Sequence, residues 1–285
     1  MVKETRVILK KKIHFLPNLG IFLILKIQSF FVTENKEKFN LIISCGRITA
    51  PYSVILKQKL NIKNIHILNP YLNFKNFDTV ILPNHDKVKI NKKVLNSTGI
   101  LADKQKLIFT RSQLSNFENI LELKKKKVIS ILIGGSGKSS TMSLDDIRPV
   151  LKVVNDLNDK HKVIFLFSRR TPEFIKKFII NEKRSIDNFY PQNNFNPYWF
   201  LLNRSDCILV TADSISMTSE ALLTGKPILI IPIIKIKEKI KNFHFDLKKQ
   251  GLIKFFKNDI IFWKNKCLDE SKRIAYLVKK KIGSF

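Results

Sequence analysis

The chain has 285 residues, enough for one large domain or two compact ones, and its 44% hydrophobic content excludes a disordered polypeptide. Three scattered cysteines, Cys45, Cys207 and Cys267, lack metal-type spacing, which excludes a zinc site or a disulfide framework and fits a reducing cytoplasm. The net charge of +29 points toward nucleic acid or an anionic membrane, but only nine of the 52 basic residues are Arg and no zinc-finger or RNA-binding motif is present, so nucleic acid is not expected as a partner.

From the N-terminus, Lys3, Glu4 and Arg6 argue against a signal peptide. The apolar stretch Ile21–Ile27 carries Lys26 and is too short to span a bilayer. The lysines leave room for a peripheral contact on the inner face of the cell membrane, since each basic residue near anionic lipid contributes about 1 kcal/mol. Short apolar runs then predict strands at Phe39–Ser44, Asn64–Leu68 and Phe77–Leu82, with a helix over Pro51–Lys59. A basic run, Lys124–Lys127, marks the expected domain boundary. Beyond it come a strand at Val128–Ile133, a helix at Leu144–Leu157, and a strand at Val163–Phe167. A helix opening at Pro172 follows, then a strand at Cys207–Thr211, a helix at Met217–Leu223 stopped by Gly225, and a strand at Pro227–Ile231. The stretch Ile260–Lys281 reads as a basic helix. Alternation of this kind predicts an α/β fold with parallel sheets and helices on both faces. The expected domains are 1–125 and 126–285.

Five turns carry candidate chemistry. Gly134-Gly135-Ser136-Gly137-Lys138-Ser139 follows a strand, and its backbone N–H groups suit a phosphate. It is not a Walker A loop, because position 132 is Leu where that motif needs Gly. In Asp213-Ser214-Ile215-Ser216-Met217, small hydroxyl residues open a helix, where they can cap it or leave N–H groups to a diphosphate. Glu220, about one turn into that helix, can accept both hydroxyls of a ribose. Ser168, Arg169 and Arg170 end another strand, and guanidinium groups bind phosphate bidentately. His85 beside Asp86 is a candidate general base. Gly46-Arg47 forms a similar strand-to-helix turn.

GRITAP (Gly46–Pro51), PNHD (Pro83–Asp86), NSTG (Asn96–Gly99), IGGSGK (Ile133–Lys138), SRRTP (Ser168–Pro172), NPYWFLLNRSD (Asn196–Asp206) and TADSISMTSEALLTGKP (Thr211–Pro227) occur in an order that resembles the mitochondrial-fission-factor family, over roughly Leu41–Pro232. The strand and GxxxQ-type turn that open family members are not found before Leu41, so the first domain, expected to serve the acceptor, reads as shortened. The family is in turn similar to glycosyltransferases of the GT-B architecture, with two Rossmann-like domains facing across a cleft. That resemblance implies a metal-independent transfer from a nucleoside-diphosphate sugar, the co-substrate, with no separate cofactor. Ser214, Ser216 and Met217 would meet the diphosphate and Glu220 the ribose. Arg169, Arg170 and Lys138 would stabilise the leaving diphosphate, with His85 or Asp86 as base. The plant protein that names the family recruits a fission dynamin, so a scaffold binding a protein partner at a membrane is the alternative. A sugar-nucleotide epimerase is set aside because no GxGxxG loop is present.

Overall fold

The computed structural model describes residues 40–87, 91–123, 126–157, 160–182, 189–191 and 195–283. The apolar stretch Ile21–Ile27 lies outside them. The chain divides into two compact units, one running to Thr98 and resuming at Lys272, the other spanning Gly99–Ser271.

In the first unit, β1 (Leu41–Cys45), α1 (Thr49–Leu60), β2 (Lys63–Ile67), β3 (Thr79–Pro83) and β4 (Val94–Ser97) follow in chain order. The sheet is parallel, in the order β1-β2-β3-β4. Its core is small, built from Ala50, Val54, Phe77, Val80 and Leu82. Asp78 ties the elements together: one carboxylate oxygen meets the Lys57 ammonium of α1 at 2.8 Å and the Asn64 N–H of β2 at 2.8 Å. His66 is fully buried on β2, with its Nδ1 2.8 Å from the Ser44 hydroxyl and its ring against Phe77. Burial lowers its imidazole to about 4.

The second unit begins with α2 (Arg111–Ile120), capped by a reciprocal Thr110–Gln113 box. There follow β5 (Lys127–Ile133), β6 (Ser140–Thr141), α3 (Leu144–Asn155), β7 (His161–Phe167), α4 (Glu173–Glu182), β8 (Phe189–Tyr190) and α5 (Tyr198–Arg204). Then come β9 (Cys207–Thr211), α6 (Ile215–Leu222), β10 (Ile228–Ile231), β11 (Lys235–Ile236), α7 (Glu238–Lys249) and β12 (Lys254–Phe255). Six of these strands make a parallel sheet in the order β12-β10-β9-β5-β7-β8. The other two, β6 and β11, pair antiparallel. The central strands are apolar along their length, as burial on both faces requires: Ile131 pairs with Phe165 on one side and Leu209 on the other, and all three are fully buried.

Two expectations from the sequence need correction. The units part at Thr98 and not at the basic run 124–127, because Leu107, Leu121 and Leu123 are buried in the core of the second unit and carry the preceding segment with them. The last helix, α8 (Glu270–Ile282), starts ten residues later than Ile260. Ile260, Ile261, Trp263 and Leu268 instead pack as irregular chain against the second core. From Lys272 on, the chain belongs to the first unit, where the Ile282 carbonyl accepts from Lys63 and the Asn96 carbonyl accepts from Arg273.

Candidate functional site

The strands β7, β5 and β9 lie side by side, so the turns that leave their carboxyl ends are neighbours. These turns are the glycine-rich, Ser-Arg-Arg-Thr and Thr-Ala-Asp-Ser segments, and side chains lock them together. The Thr211 hydroxyl oxygen accepts from Gly134 N–H at 2.8 Å, and an Asp213 carboxylate oxygen accepts from Gly135 N–H at 2.8 Å. From the third turn, the Thr171 hydroxyl donates to the Gly134 carbonyl at 2.6 Å. The Asp213 side chain has no exposed surface, and its other oxygen, Oδ1, has no hydrogen-bond partner among the described residues. Burial pushes its carboxyl up, against the opposing pull of the Thr211 hydroxyl, the Gly135 N–H and the Arg170 guanidinium. Arg170 lies 4.0 Å from that carboxylate and is itself mostly exposed.

The glycine-rich turn does not run into a helix. It makes a tight reversal in which Gly137 N–H donates to the Ser140 carbonyl, enters β6, and reaches α3 only at Leu144. The N–H groups of Gly134, Gly135 and Gly137 are thus all used inside the protein. The reason for glycine here is close approach: a Cβ on Gly134 would meet the Asp213 carboxylate, and one on Gly135 would meet the Arg170 carbonyl. Ser136 accepts from Met142 N–H at 3.1 Å, and Lys138 is exposed at the turn.

The start of α6 is arranged differently. Ser214 caps the helix, its hydroxyl oxygen accepting from Met217 N–H at 3.3 Å. The N–H groups of Ile215 and Ser216 have no partner among the described residues, as expected for a helix's first turn. Ser216 is exposed beside them. Arg169 and Arg170, both exposed, extend from the neighbouring turn, with Ser168 bracing it by accepting from Arg170 N–H.

Glu220 is half-buried on α6 and accepts a 2.5 Å hydrogen bond from the Tyr198 hydroxyl of α5. Burial raises the Glu220 carboxyl, opposed by the Tyr198 hydroxyl and the Lys106 charge. Burial first, then the Glu220 carboxylate, push the Tyr198 phenol well above its usual range. Glu220 is therefore oriented by a partner, not a freely solvated helix position. Sequence reasoning missed Tyr198 as that partner, although it lies within the NPYWF motif. It also missed His244 of α7, a fully buried residue whose Nε2 is bonded at 2.8 Å to the carbonyl of Ala212 and so braces the turn from below. Ser219 is a third: its hydroxyl oxygen accepts from Ile100 N–H, and a Cβ on Gly99 would strike it.

Other motif residues hold the fold. Asp206 accepts from Val128 N–H at 2.8 Å, Ser205 meets Ser130 at 2.6 Å, and Asn203 donates to the Leu107 carbonyl, all near the opposite edge of the sheet. His85 and Asp86 lie in the first unit, in a helical turn directly after β3, with His85 buried. Among the described residues no helix is long and apolar enough to cross a membrane.

The profile of the mitochondrial fission ELM1 family matches residues 3–282. The chain belongs to that family. The match reaches well before Leu41, so the family pattern extends into the segment that the motifs left uncovered. Two curated relatives are similar along most of this chain. Uncharacterized protein RP120 of Rickettsia prowazekii is 31% identical, covering 84% of this chain and 79% of that protein. The mitochondrial fission protein ELM1 of Arabidopsis thaliana is 25% identical, covering 79% of this chain but 58% of the plant protein, less than two thirds of its length. Among solved structures, UDP-GlcNAc 2-epimerase from Methanocaldococcus jannaschii superposes with a TM-score of 0.55 at 14% identity, covering 92% of this chain and 82% of that one. UDP-GlcNAc 2-epimerase from Neisseria meningitidis, bound to UDP-GlcNAc, gives 0.52 at 15%, covering 92% and 73%. The ELM1-family chain thus has a GT-B-like fold of two Rossmann-like units.

Proposed function

We propose that the chain binds a nucleoside-diphosphate sugar at the carboxyl edge of its second sheet and transfers the sugar to an acceptor hydroxyl. The observation that carries this reading is the arrangement around α6: two helix N–H groups without a partner among the described residues, Arg170 4.0 Å from the Asp213 that precedes the helix, and a glutamate held by Tyr198, at the strand ends where open α/β sheets bind ligands. In this reading Ile215 and Ser216 N–H, the Ser216 hydroxyl, Arg169, Arg170 and Lys138 hold the diphosphate, and Glu220, aimed by Tyr198, takes the ribose. Gly134, Gly135, Ser136, Ser168, Asp213, Ser214 and Met217 shape the turns that present those groups. The fold of the two UDP-GlcNAc 2-epimerases supports a nucleotide sugar as ligand.

A scaffold that recruits a protein partner at a membrane is the second reading, favoured by the name of the plant relative. Nucleotide binding separates the two. A thermal-shift screen with uridine, guanosine, adenosine and cytidine diphosphates is expected to find one that raises the melting temperature, because a ligand that binds only the folded state stabilises it by mass action. Glu220→Ala is expected to weaken that binding about tenfold to a hundredfold, the loss of roughly 1.5–3 kcal/mol from a charged hydrogen bond. Tyr198→Phe, which keeps the carboxylate and removes its guide, should fall between wild type and Glu220→Ala. No response to any of the four nucleotides favours the scaffold.

A further inference from the structure

A diphosphate at the α6 N-terminus would approach a turn that already holds a buried carboxylate. Asp213 immediately precedes the cap residue Ser214, its side chain is wholly enclosed, and among the described residues only one of its two oxygens has a hydrogen-bond partner. Its counter-charge is loose: the Arg170 guanidinium stands 4.0 Å away, beyond hydrogen-bonding distance, with 58% of the side chain exposed. Arg170 is also among the basic residues best placed to bind phosphate. It cannot serve a solvent-side phosphate and the enclosed carboxylate equally, and a second anion beside Asp213 adds like-charge repulsion. We infer that nucleoside-diphosphate binding draws Arg170 away from Asp213 and that Asp213 takes up one proton from solvent in the complex. Arg170 would act as the exchangeable counter-ion and Asp213 as a positioning residue that never touches the ligand. The inference rests on the diphosphate placement proposed above.

The other groups facing Asp213 support this assignment. From β9 comes the Thr211 hydroxyl, which is neutral, and from the glycine-rich turn the Gly135 N–H, with exposed Lys138 farther along. From the β7 turn comes Arg170, with exposed Arg169 before it in the chain, and from α7 the His244 imidazole, one residue removed through the Ala212 carbonyl. Among the described residues Arg170 is the charged side chain that acts directly on the Asp213 carboxyl, and burial already favours its neutral form. Loss of Arg170 to a phosphate moves the carboxyl further the same way.

Calorimetric titration with UDP-GlcNAc in buffers of unlike ionisation enthalpy tests this. Its diphosphate is esterified at both ends, so the ligand brings no phosphate that titrates near neutrality. For wild type the binding heat should vary with buffer in the sense of proton uptake, and affinity should rise as pH falls, by at most about tenfold per unit. Asp213→Asn, isosteric and able to accept from Gly135 N–H, should abolish both effects and bind more tightly than wild type at alkaline pH. UDP-GlcNAc binding with no uptake and a flat affinity would overturn the inference without touching the nucleotide reading. Undiminished uptake in Asp213→Asn would overturn it in favour of His244. Failure of UDP-GlcNAc and of all four nucleoside diphosphates to bind wild type would remove the nucleotide reading and this inference together.

Discussion

In the first unit the chain leaves β1 through Gly46, whose φ is +82° and whose added Cβ would meet nothing within 4 Å. In the second it leaves β5 through Gly134 and Gly135, which have no positive φ but whose added Cβ atoms would strike Asp213 and the Arg170 backbone. The first turn is local: the Thr49 hydroxyl donates to the carbonyl of Cys45, four residues back. The second is a junction of three turns that hold one another through Thr171, Thr211 and Asp213. Glycine serves a dihedral angle in one place and an approach distance in the other. The junction gives the second unit a rigid edge suited to presenting fixed donors, at the cost of an enclosed carboxylate.

Substituting these glycines is the sharpest way to break the comparison. Gly135→Ala sets a methyl group against backbone that cannot swing aside, so a loss of about 3 kcal/mol or more is expected. Gly46→Ala has room and meets only the left-handed strain of about 1–2 kcal/mol. Chemical unfolding of both variants should show this order. Equal losses would mean that the junction adapts and is not rigid.

The buried titratable groups sharpen the comparison further, because they should give the two units opposite responses to acid. His66 in the first unit has its folded value lowered to about 4, whereas the unfolded chain protonates near 6.5. The unfolded state therefore binds more protons between those values, and stability present at neutral pH is lost as pH falls from about 6.5 to about 4. A shift of this size corresponds to about 3 kcal/mol. His66→Phe should remove that acid sensitivity. Both tryptophans, Trp199 and Trp263, lie in the second unit. Far-UV ellipticity lost in mild acid without a change in tryptophan fluorescence would place the event in the first unit. Acid sensitivity unchanged in His66→Phe would remove His66 as its source.

What could be read from the sequence follows from which signals are local. The strand Cys207–Thr211 has the boundaries its apolar run predicts, and β5 and β7 differ only at their amino ends. α6 starts at Ile215, two residues before the expected Met217, and Ser214, one of the small hydroxyl residues beside Asp213, caps it. Failures came where a residue's role depends on a distant partner. The glycines after β5 carry the same letters whether they cradle phosphate or make room for Asp213, 78 residues away. The Tyr198–Glu220 bond spans 22 residues and the His244–Ala212 bond 32, and no spacing rule announces either. The basic run at 124–127 looked like a boundary because charge marks linkers, yet burial of Leu121 and Leu123 just before it decided the division.

The smallest expected effect is also the most pointed. Asp213 has its folded value raised, chiefly by burial, so the sign opposes that of His66. Between the ordinary carboxylate range and the raised value the folded state holds the extra proton. Stability on account of this group is therefore greatest at low pH and declines as pH rises through the raised value. Asp213→Asn removes the charge while keeping the shape and an acceptor for Gly135 N–H. At neutral pH it should match wild type or exceed it, by about 1 kcal/mol or less, while losing the pH slope. Unfolding followed by tryptophan fluorescence at several pH values isolates the second unit, where Asp213 lies. A variant clearly less stable than wild type at neutral pH would show that the charge-assisted bond to Gly135 outweighs the burial of the carboxylate. In that case Asp213 strengthens the junction by its charge. A neutral or stabilising result would instead mark the charge as a feature that the fold tolerates and does not need.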